Sequence, residues 1–326
     1  MLSRLALKLN VMPKVSVVIP IYGVEKHIER CARSLFEQTL DDIEFIFVND
    51  CTNDRSIAIL KRVLNEYPNR FHKTLILNHE VNKGSAYARR TGIEVATGDY
   101  IIHCDSDDWV DKEMYEIMYK TATEFNADVV SCDYQCHTGE KVIRLMREHV
   151  EENRDEFIKN IMTQKSHWVL WNKMFRRHNL FGMITYPTQN MGEDMAIVLQ
   201  WVYFCNIIKH IQKPLYYYYT NEESITNIKD ENASVRRFSQ TYDNVKIVES
   251  FYKAQKDYNI FKSSINWLKL ICKLHLDVKT LYGKRMWRDT FPLVEWKCLF
   301  NTSLSRKQRF MVLKKIIKTS HAYLIR

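Results

Sequence analysis

No CxxC pair and no regular cysteine framework occurs in the 326 residues, although eight cysteines are scattered at positions 31, 51, 104, 132, 136, 205, 272 and 298. That spacing excludes a disulfide-stapled secreted scaffold, and several of the cysteines lie in apolar runs, so they read as reduced, cytosolic thiols. Cys132, Cys136 and His137 would need a second ligand pair to make a zinc site, and none is present. No window approaches the roughly 18–20 apolar residues of a spanning helix, and the opening apolar run is short and broken by Lys8. The expectation is therefore a chain that is not exported, is cytoplasmic, and is soluble or peripheral to a membrane. No GxGxxG follows the first apolar run, where Pro20-Ile21-Tyr22-Gly23 stands instead, which argues against a dinucleotide oxidoreductase. Low-complexity linkers and repeat periods are missing too. Acidic residues are scarce in one region only. Positions 229–326 hold 21 Lys/Arg against 8 Asp/Glu, whereas positions 1–228 hold 27 against 31, so the net charge of +9 sits at the C-terminal end.

What is present is a core-forming composition, 46% hydrophobic and 12% aromatic, enough for one large domain or two. Val15-Ser16-Val17-Val18-Ile19-Pro20 reads as a buried strand, followed by helical spacing at Ile28, Ala32, Leu35 and Phe36. Residues 43–48, 73–78 and 100–103 repeat the strand pattern, and helical patterns follow at about 55–66, 83–96 and 111–125. Four strand-then-helix units in about 105 residues imply a parallel sheet with helices on both faces. The alternation then weakens. Strands are expected at 128–134 and 141–146 and around Tyr216-Tyr217-Tyr218-Tyr219, and helices at 154–163 and 193–204. From residue 230 onward the pattern is helical throughout.

The run Tyr100-Ile101-Ile102-His103 ends in Cys104-Asp105-Ser106-Asp107-Asp108, an apolar strand delivering three carboxylates to a sheet's carboxyl edge, where open α/β sheets bind ligands. Asp105 and Asp107 are hard oxygen ligands spaced to suit Mg²⁺ or Mn²⁺ holding a diphosphate, while an acidic turn capping the next helix explains the same residues equally well. Glu193 and Asp194, after Gly192, open a helix, where plain dipole stabilisation also accounts for acids. Asp50 lies in a polar turn in which Asp54 is the more natural helix cap.

Together these stretches resemble the inverting family 2 glycosyltransferases of the A-type fold, of the bacterial polysaccharide type, over about residues 14–228. The motifs are Val17-Val18-Ile19-Pro20-Ile21-Tyr22, Val48-Asn49-Asp50-Cys51-Thr52-Asn53-Asp54, Asn82-Lys83-Gly84 with Ala88-Arg89 and Gly92, Ala96-Thr97-Gly98-Asp99, Asp105-Ser106-Asp107-Asp108, Trp171-Asn172-Lys173 and Gly192-Glu193-Asp194. The resemblance implies an α/β fold of that type, a mostly parallel sheet flanked by helices, with a helical C-terminal extension. It implies segments 1–13 (extension), 14–135 (nucleotide-sugar-binding half), 136–228 (acceptor-side half) and 229–326 (basic helical region). It also implies that Asp50 contacts the nucleotide base in a pocket shaped by Pro20 and Tyr22, and that Asp105 lies near the ribose. Asp107, with Asp105, would hold the Mn²⁺ or Mg²⁺ ion. Asn82, Gly84, Arg89 and Ser106 complete the donor side, Trp171 and Lys173 face the acceptor, Asp194 is the general base and Glu193 supports it. Arg89 has two readings, a partner for diphosphate oxygens or a bridge to an acidic neighbour.

Three residues depart from the family's common pattern: Asn49 for an aspartate, Cys51 for a glycine and Arg90 for an asparagine. They bear on base preference. The expected partners are a nucleotide-sugar donor, a UDP-sugar, and a glycan or lipid-linked acceptor, with no nucleic acid. Residues 303–326 carry seven basic and no acidic residues, with Phe310, Leu313, Ile316, Ile317 and Leu324 on one side of a helical wheel and Lys307, Lys314, Lys315 and Lys318 on the other. That is an interfacial-helix pattern and implies peripheral contact with an anionic membrane at the cytosolic face. A nucleotidyltransferase would also combine such a sheet with carboxylate-held metal, but its Gly-rich basic phosphate loop is missing between Pro20 and Lys26. A non-catalytic partner subunit would be favoured by loss of Asp107 or Asp194, and both are present.

Overall fold

A computed structural model describes residues 13–179, 182–220, 231–274, 276, 280–299 and 306–319. The expected extension at 1–13 thus lies, except for residue 13, outside the described residues, as do Leu324 and Arg326 of the basic tail. The chain forms two compact units: Met1–Arg147, Leu170–Phe181 and Lys209–Tyr219 make the first, and Glu148–Val169, Gly182–Ile208 and Thr220–Arg326 make the second. The units interleave along the chain and do not follow the contiguous segments 14–135, 136–228 and 229–326.

In the first unit, β1 (Val15–Ile21), β2 (Ile43–Asn49), β3 (Thr74–Asn78) and β4 (Tyr100–His103) pair in parallel in the order β3-β2-β1-β4. Val15, Val17, Val18 and Ile19 of β1 are fully buried, as are Phe45, Ile46, Phe47 and Val48 of β2, so these strands read as unbroken apolar runs. Helices α1 (Ile28–Phe36), α2 (Ser56–Asn65) and α3 (Ser85–Val95) are the crossovers between them. Each β1 residue sits opposite its β2 partner without a slip, Val15 against Ile43 through Ile21 against Asn49. Gly98 lets two segments touch, because a Cβ there would lie 2.7 Å from the Ser16 nitrogen.

The sheet continues through β5 (Trp109–Val110), β6 (Val129–Thr138), β7 (Lys141–Met146), β8 (Lys173–Arg176) and β9 (Ile208–Tyr219), with α4 (Met114–Glu124) between β5 and β6. The order runs β4-β8-β6-β9-β5, with β7 on β6, and the pairs of β8 with β4 and β6, of β7 with β6 and of β5 with β9 are antiparallel. The parallel half is as the sequence implies, and the other half makes the sheet mixed. Pro214 lies inside β9.

The second unit is helical: α5 (Arg154–Met162), α6 (Glu193–Tyr203), α7 (Glu231–Lys253), α8 (Tyr258–Leu274), α9 (Leu281–Asp289), α10 (Val294–Leu299) and α11 (Arg306–Thr319). Tyr203 packs edge-on against Phe204, Phe251, Tyr252 and Phe261, joining α6, α7 and α8. Its hydroxyl donates to Asp257, which also pairs with Arg154. Lys273 and Glu295 form a fully buried ion pair at 2.6 Å beneath Trp287.

The wheel reading of α11 needs correction. Val312, Ile316 and Thr319 are buried, and Lys315 turns inward to donate to the carbonyls of Leu274 and Leu276. Phe310, Leu313 and Ile317 are exposed, Phe310 and Ile317 by 69% and 68%, beside the exposed Lys314 and Lys318. Unsatisfied carbonyls at the end of α8 draw Lys315 inward, so the helix carries two apolar rows, one packed and one outward.

Candidate active site

The acidic turn follows β4 and is held from two sides. On one side, Arg30 of α1 donates to the Asp107 carbonyl at 3.2 Å, with its guanidinium 3.6 Å from the centre of the Trp109 ring, and the Cys31 thiol reaches the Asp105 carbonyl. On the other side is β9. The Tyr216 hydroxyl donates to Asp108 Oδ2 and the Tyr219 amide to Oδ1, both at 2.6 Å, while the Asp105 amide donates to the Tyr216 hydroxyl. Arg89 of α3 donates to Asp105 Oδ1 at 2.7 Å, so of its two readings the structure shows the bridge to an acidic neighbour. Ser106 is buried in the same turn.

Burial pushes the Asp108 carboxyl well above the usual carboxylate range, followed by the charges of Asp107 and Asp105. Burial and the Asp105 charge also push Asp107 up to about 6. Three carboxylates thus crowd one buried turn, where a divalent cation would offset their mutual repulsion. Among the described residues no three or more His, Cys, Asp or Glu side chains gather as a metal cluster. Asp105 and Asp107 offer hard oxygens, the donor type with which Mg²⁺ or Mn²⁺ is held by one or two carboxylates while substrate phosphates and water complete the shell.

At the end of β2, Asp50 is already engaged. Its oxygens accept from the amides of Lys83 and Gly84 at 2.8 and 2.6 Å, and one lies 2.7 Å from His79 Nδ1, whose Nε2 is 2.9 Å from Thr91 Oγ1. Asp50 therefore fixes the loop that enters α3, where Gly84 caps the helix at φ +89°. Asp54 accepts from Ser56 and Thr52 and from the Glu25 amide, tying the turns after β1 and β2 together. Pro20 is half-buried and Tyr22 is 56% exposed at the end of β1, and Asn82 is exposed in the loop that Asp50 holds. Asn49 spends its side chain on Asn78 and on the Thr52 amide.

Cys51, where the family commonly has glycine, adopts φ +58°. A side chain in that left-handed conformation is strained, so Cys51→Gly should raise stability by about 0.5–1 kcal/mol after the extra chain entropy of glycine is subtracted. Denaturant midpoints of the two proteins measure it. A lower midpoint for the variant would mean that the Cys51 thiol's contact with the Glu80 carbonyl outweighs the strain.

Trp171 and Lys173 are buried. Trp171 stacks on Tyr216 with ring centres 4.2 Å apart and lies parallel to Tyr218 at 5.9 Å, and Lys173 donates to Asn172. Trp171 thus backs the tyrosine strand and is not laid bare beside it. Of the four tyrosines, Tyr216 is buried and the other three are half-buried.

Glu193 and Asp194 belong to the second unit, in the first turn of α6, which Gly192 opens at φ +80°. Acids there gain from the helix dipole. What holds this turn carries no mark in the sequence: the buried Asn244 of α7 donates to the carbonyls of Gln189 and Met191 at 3.0 and 2.9 Å. Only a residue's place in space, some fifty positions along the chain, could have pointed to it.

A family model described as glycosyl transferase family 2 matches residues 16–190. The chain is 31% identical over 241 residues to the "Uncharacterized glycosyltransferase EpsJ" of Bacillus subtilis (strain 168), covering 71% of this chain and 68% of that one. Among solved structures, TarS 1-349 of S. aureus in complex with UDP superposes with a TM-score of 0.65 at 18% identity, covering 95% of this chain and 89% of that one. Mannosyltransferase PcManGT from Pyrobaculum calidifontis, in complex with GDP-Man and Mn²⁺, does so with a TM-score of 0.57 at 14% identity, covering 97% and 88%. At such identities the two structures speak for the fold alone. The family model, matched over more than half of the chain, and the EpsJ likeness settle the family: this chain belongs to the glycosyl transferase family 2.

Proposed function

We propose that the protein transfers a sugar, with inversion, from a nucleotide-diphosphate donor, a UDP-sugar, to a hydroxyl of a glycan or lipid-linked saccharide. The observation that carries this reading is the immobilised acidic turn at the carboxyl edge of β4, which holds Asp105, Asp107 and Asp108 together and whose Asp107 carboxyl is held up at about 6 by burial and by the Asp105 charge. Asp107, with Asp105, would hold Mn²⁺ or Mg²⁺. When bound, that ion supplies a Lewis acid that neutralises the departing diphosphate. Asp194 takes the proton of the acceptor hydroxyl, whose oxygen forms the new bond to the anomeric carbon as the bond to the diphosphate breaks on the opposite face. Glu193 supports that base. Arg89 orients Asp105, Asp50 holds the loop of Asn82 and Gly84 beside the base pocket of Pro20 and Tyr22, and Ser106 lines the donor side. Trp171 and Lys173 brace the tyrosine strand on the acceptor side. What supports the donor class is that proteins of this fold are described in complex with UDP (TarS) and with GDP-Man and Mn²⁺ (PcManGT). Incubating the protein with a panel of nucleotide sugars and Mn²⁺, and scoring nucleotide release and thermal shift, tests it. A panel in which none binds or is consumed would overturn the reading.

Among the described residues, no helix is long and apolar enough to cross a membrane. The outward row Phe310, Leu313 and Ile317, flanked by Lys314 and Lys318, supports peripheral contact with anionic lipid. Each basic residue close to such a surface adds about 1 kcal/mol. The protein should sediment with phosphatidylserine vesicles at low salt and be released at high salt. Phe310→Ser with Ile317→Ser should abolish sedimentation. Equal partitioning of the double variant would assign the row to solubility alone.

A further inference from the structure

Among the described residues, the strands that end the sheet are β3, β5 and β7, and two of these edges are guarded. β5 has only two residues, and β7 carries Lys141 and Arg144 beside a register shift at Cys136/His137 of its neighbour β6. Short length, basic side chains and bulges are the usual means of keeping an edge from pairing with another chain. The remaining edge lacks these devices. β3 ends the parallel half, reads Thr74-Leu75-Ile76-Leu77-Asn78 without a charge or a proline, and follows β2 over that whole length without a slip. Leu75 is exposed in it, as are Phe71 before it and Val81 after it.

The alternation of hydrogen bonds along β3 says what fits there. The His79 amide donates to the Asn49 carbonyl, so the main-chain groups of Leu75 and Leu77 face β2, while those of Ile76 and Asn78 and the Thr74 carbonyl face outward. The Thr74 amide is taken by the Phe71 carbonyl. We infer that this edge pairs with β3 of a second copy of the chain, antiparallel, about a two-fold axis at Ile76. In that register the two Ile76 residues exchange both their bonds, and each Asn78 amide donates to the Thr74 carbonyl of the second copy. Leu75 lies opposite Leu77, apolar against apolar, and the His72 end of one copy meets the Glu80 end of the other, a donor against an acceptor. A parallel pairing would instead set Glu80 beside Glu80. The strand is its own complement, which is what an interface between identical copies about a two-fold axis requires. The inference concerns the outer side of β3 and stands apart from the transferase reading.

Sedimentation equilibrium of the full chain between about 1 and about 100 µM should show the mass rising from that of one chain toward that of two, the affinity of an interface at the small end of the size range. Ile76→Pro removes an amide that points outward and none that β2 uses, and Leu75→Lys puts a charge on the edge. Each should weaken the dimer about tenfold or more, the margin of two lost hydrogen bonds or two lost apolar pairs. Mixing Leu75→Cys with Leu77→Cys protein under oxidised glutathione should give a disulfide-linked dimer well above the wild-type background, because the two positions lie opposite in the closely spaced, non-bonded pairs. Either variant alone should crosslink several-fold less. A mass of one chain at the highest concentration overturns the proposal, as does a dimer that either folded variant leaves intact or that crosslinks equally in the unmixed proteins. If Ile76→Pro does not fold, as judged by circular dichroism, Leu75→Lys and the mixing experiment decide.

Discussion

Asp107→Ala leaves a folded protein that no longer transfers sugar. The variant removes the carboxylate that the proposed cation needs, so turnover should fall below detection and the thermal shift caused by Mn²⁺ with UDP should vanish. Stability should not suffer. A carboxyl whose folded value, about 6, is above its unfolded one favours the protonated state, so its contribution is retained at low pH and lost as pH rises to 6. At pH 7 without metal the ionised Asp107 therefore works against the fold, by an amount on the order of 1–3 kcal/mol, and its removal should leave the melting temperature in EDTA equal or higher. EDTA on the wild type should mimic the loss of transfer. A fully active variant, or a wild type indifferent to EDTA, removes the metal from Asp107.

Asp194→Asn keeps the size of the side chain but cannot take the acceptor's proton. Turnover should drop by ~10²–10⁴-fold, the range for a lost general base. UDP binding should barely change, and the charge–dipole term that the fold loses at the first turn of α6 is about 0.3–1 kcal/mol. Steady-state kinetics beside UDP titration separates the outcomes. Preserved turnover with collapsed UDP affinity would move Asp194 from base to donor ligand.

The first half of the fold was legible because β1 to β4 are buried in a parallel sheet and so appear as continuous apolar runs ending in polar turns. Of the antiparallel half, β6, β7 and the tyrosine end of β9 were legible too, whereas β5 and β8 were not, because they have two and four residues, too short for a period to show. Helix α1 begins at Ile28, because the preceding turn is spent on amide bonds to Thr52, Ser56 and Asp54. At the site, the acidic turn could be read from three carboxylates in four positions. The partner of Arg89 could not, nor could the engagement of Asp50 with His79, Lys83 and Gly84, about thirty residues away. Asp54 was the expected cap, which left Asp50 free in one dimension. In three dimensions the loop before α3 had claimed it.

The Asp108–Tyr216 contact joins residues 108 positions apart, and both ends are buried. Neither partner can be exchanged alone without stranding the other in an apolar surrounding, a loss that single substitutions feel in full and a matched pair feels less. Such a couple is inherited as a unit. If the turn holds the donor and the tyrosine strand faces the acceptor, as proposed, a lineage that altered the strand for a new acceptor would first have to renegotiate the turn, and the two specificities would not drift separately.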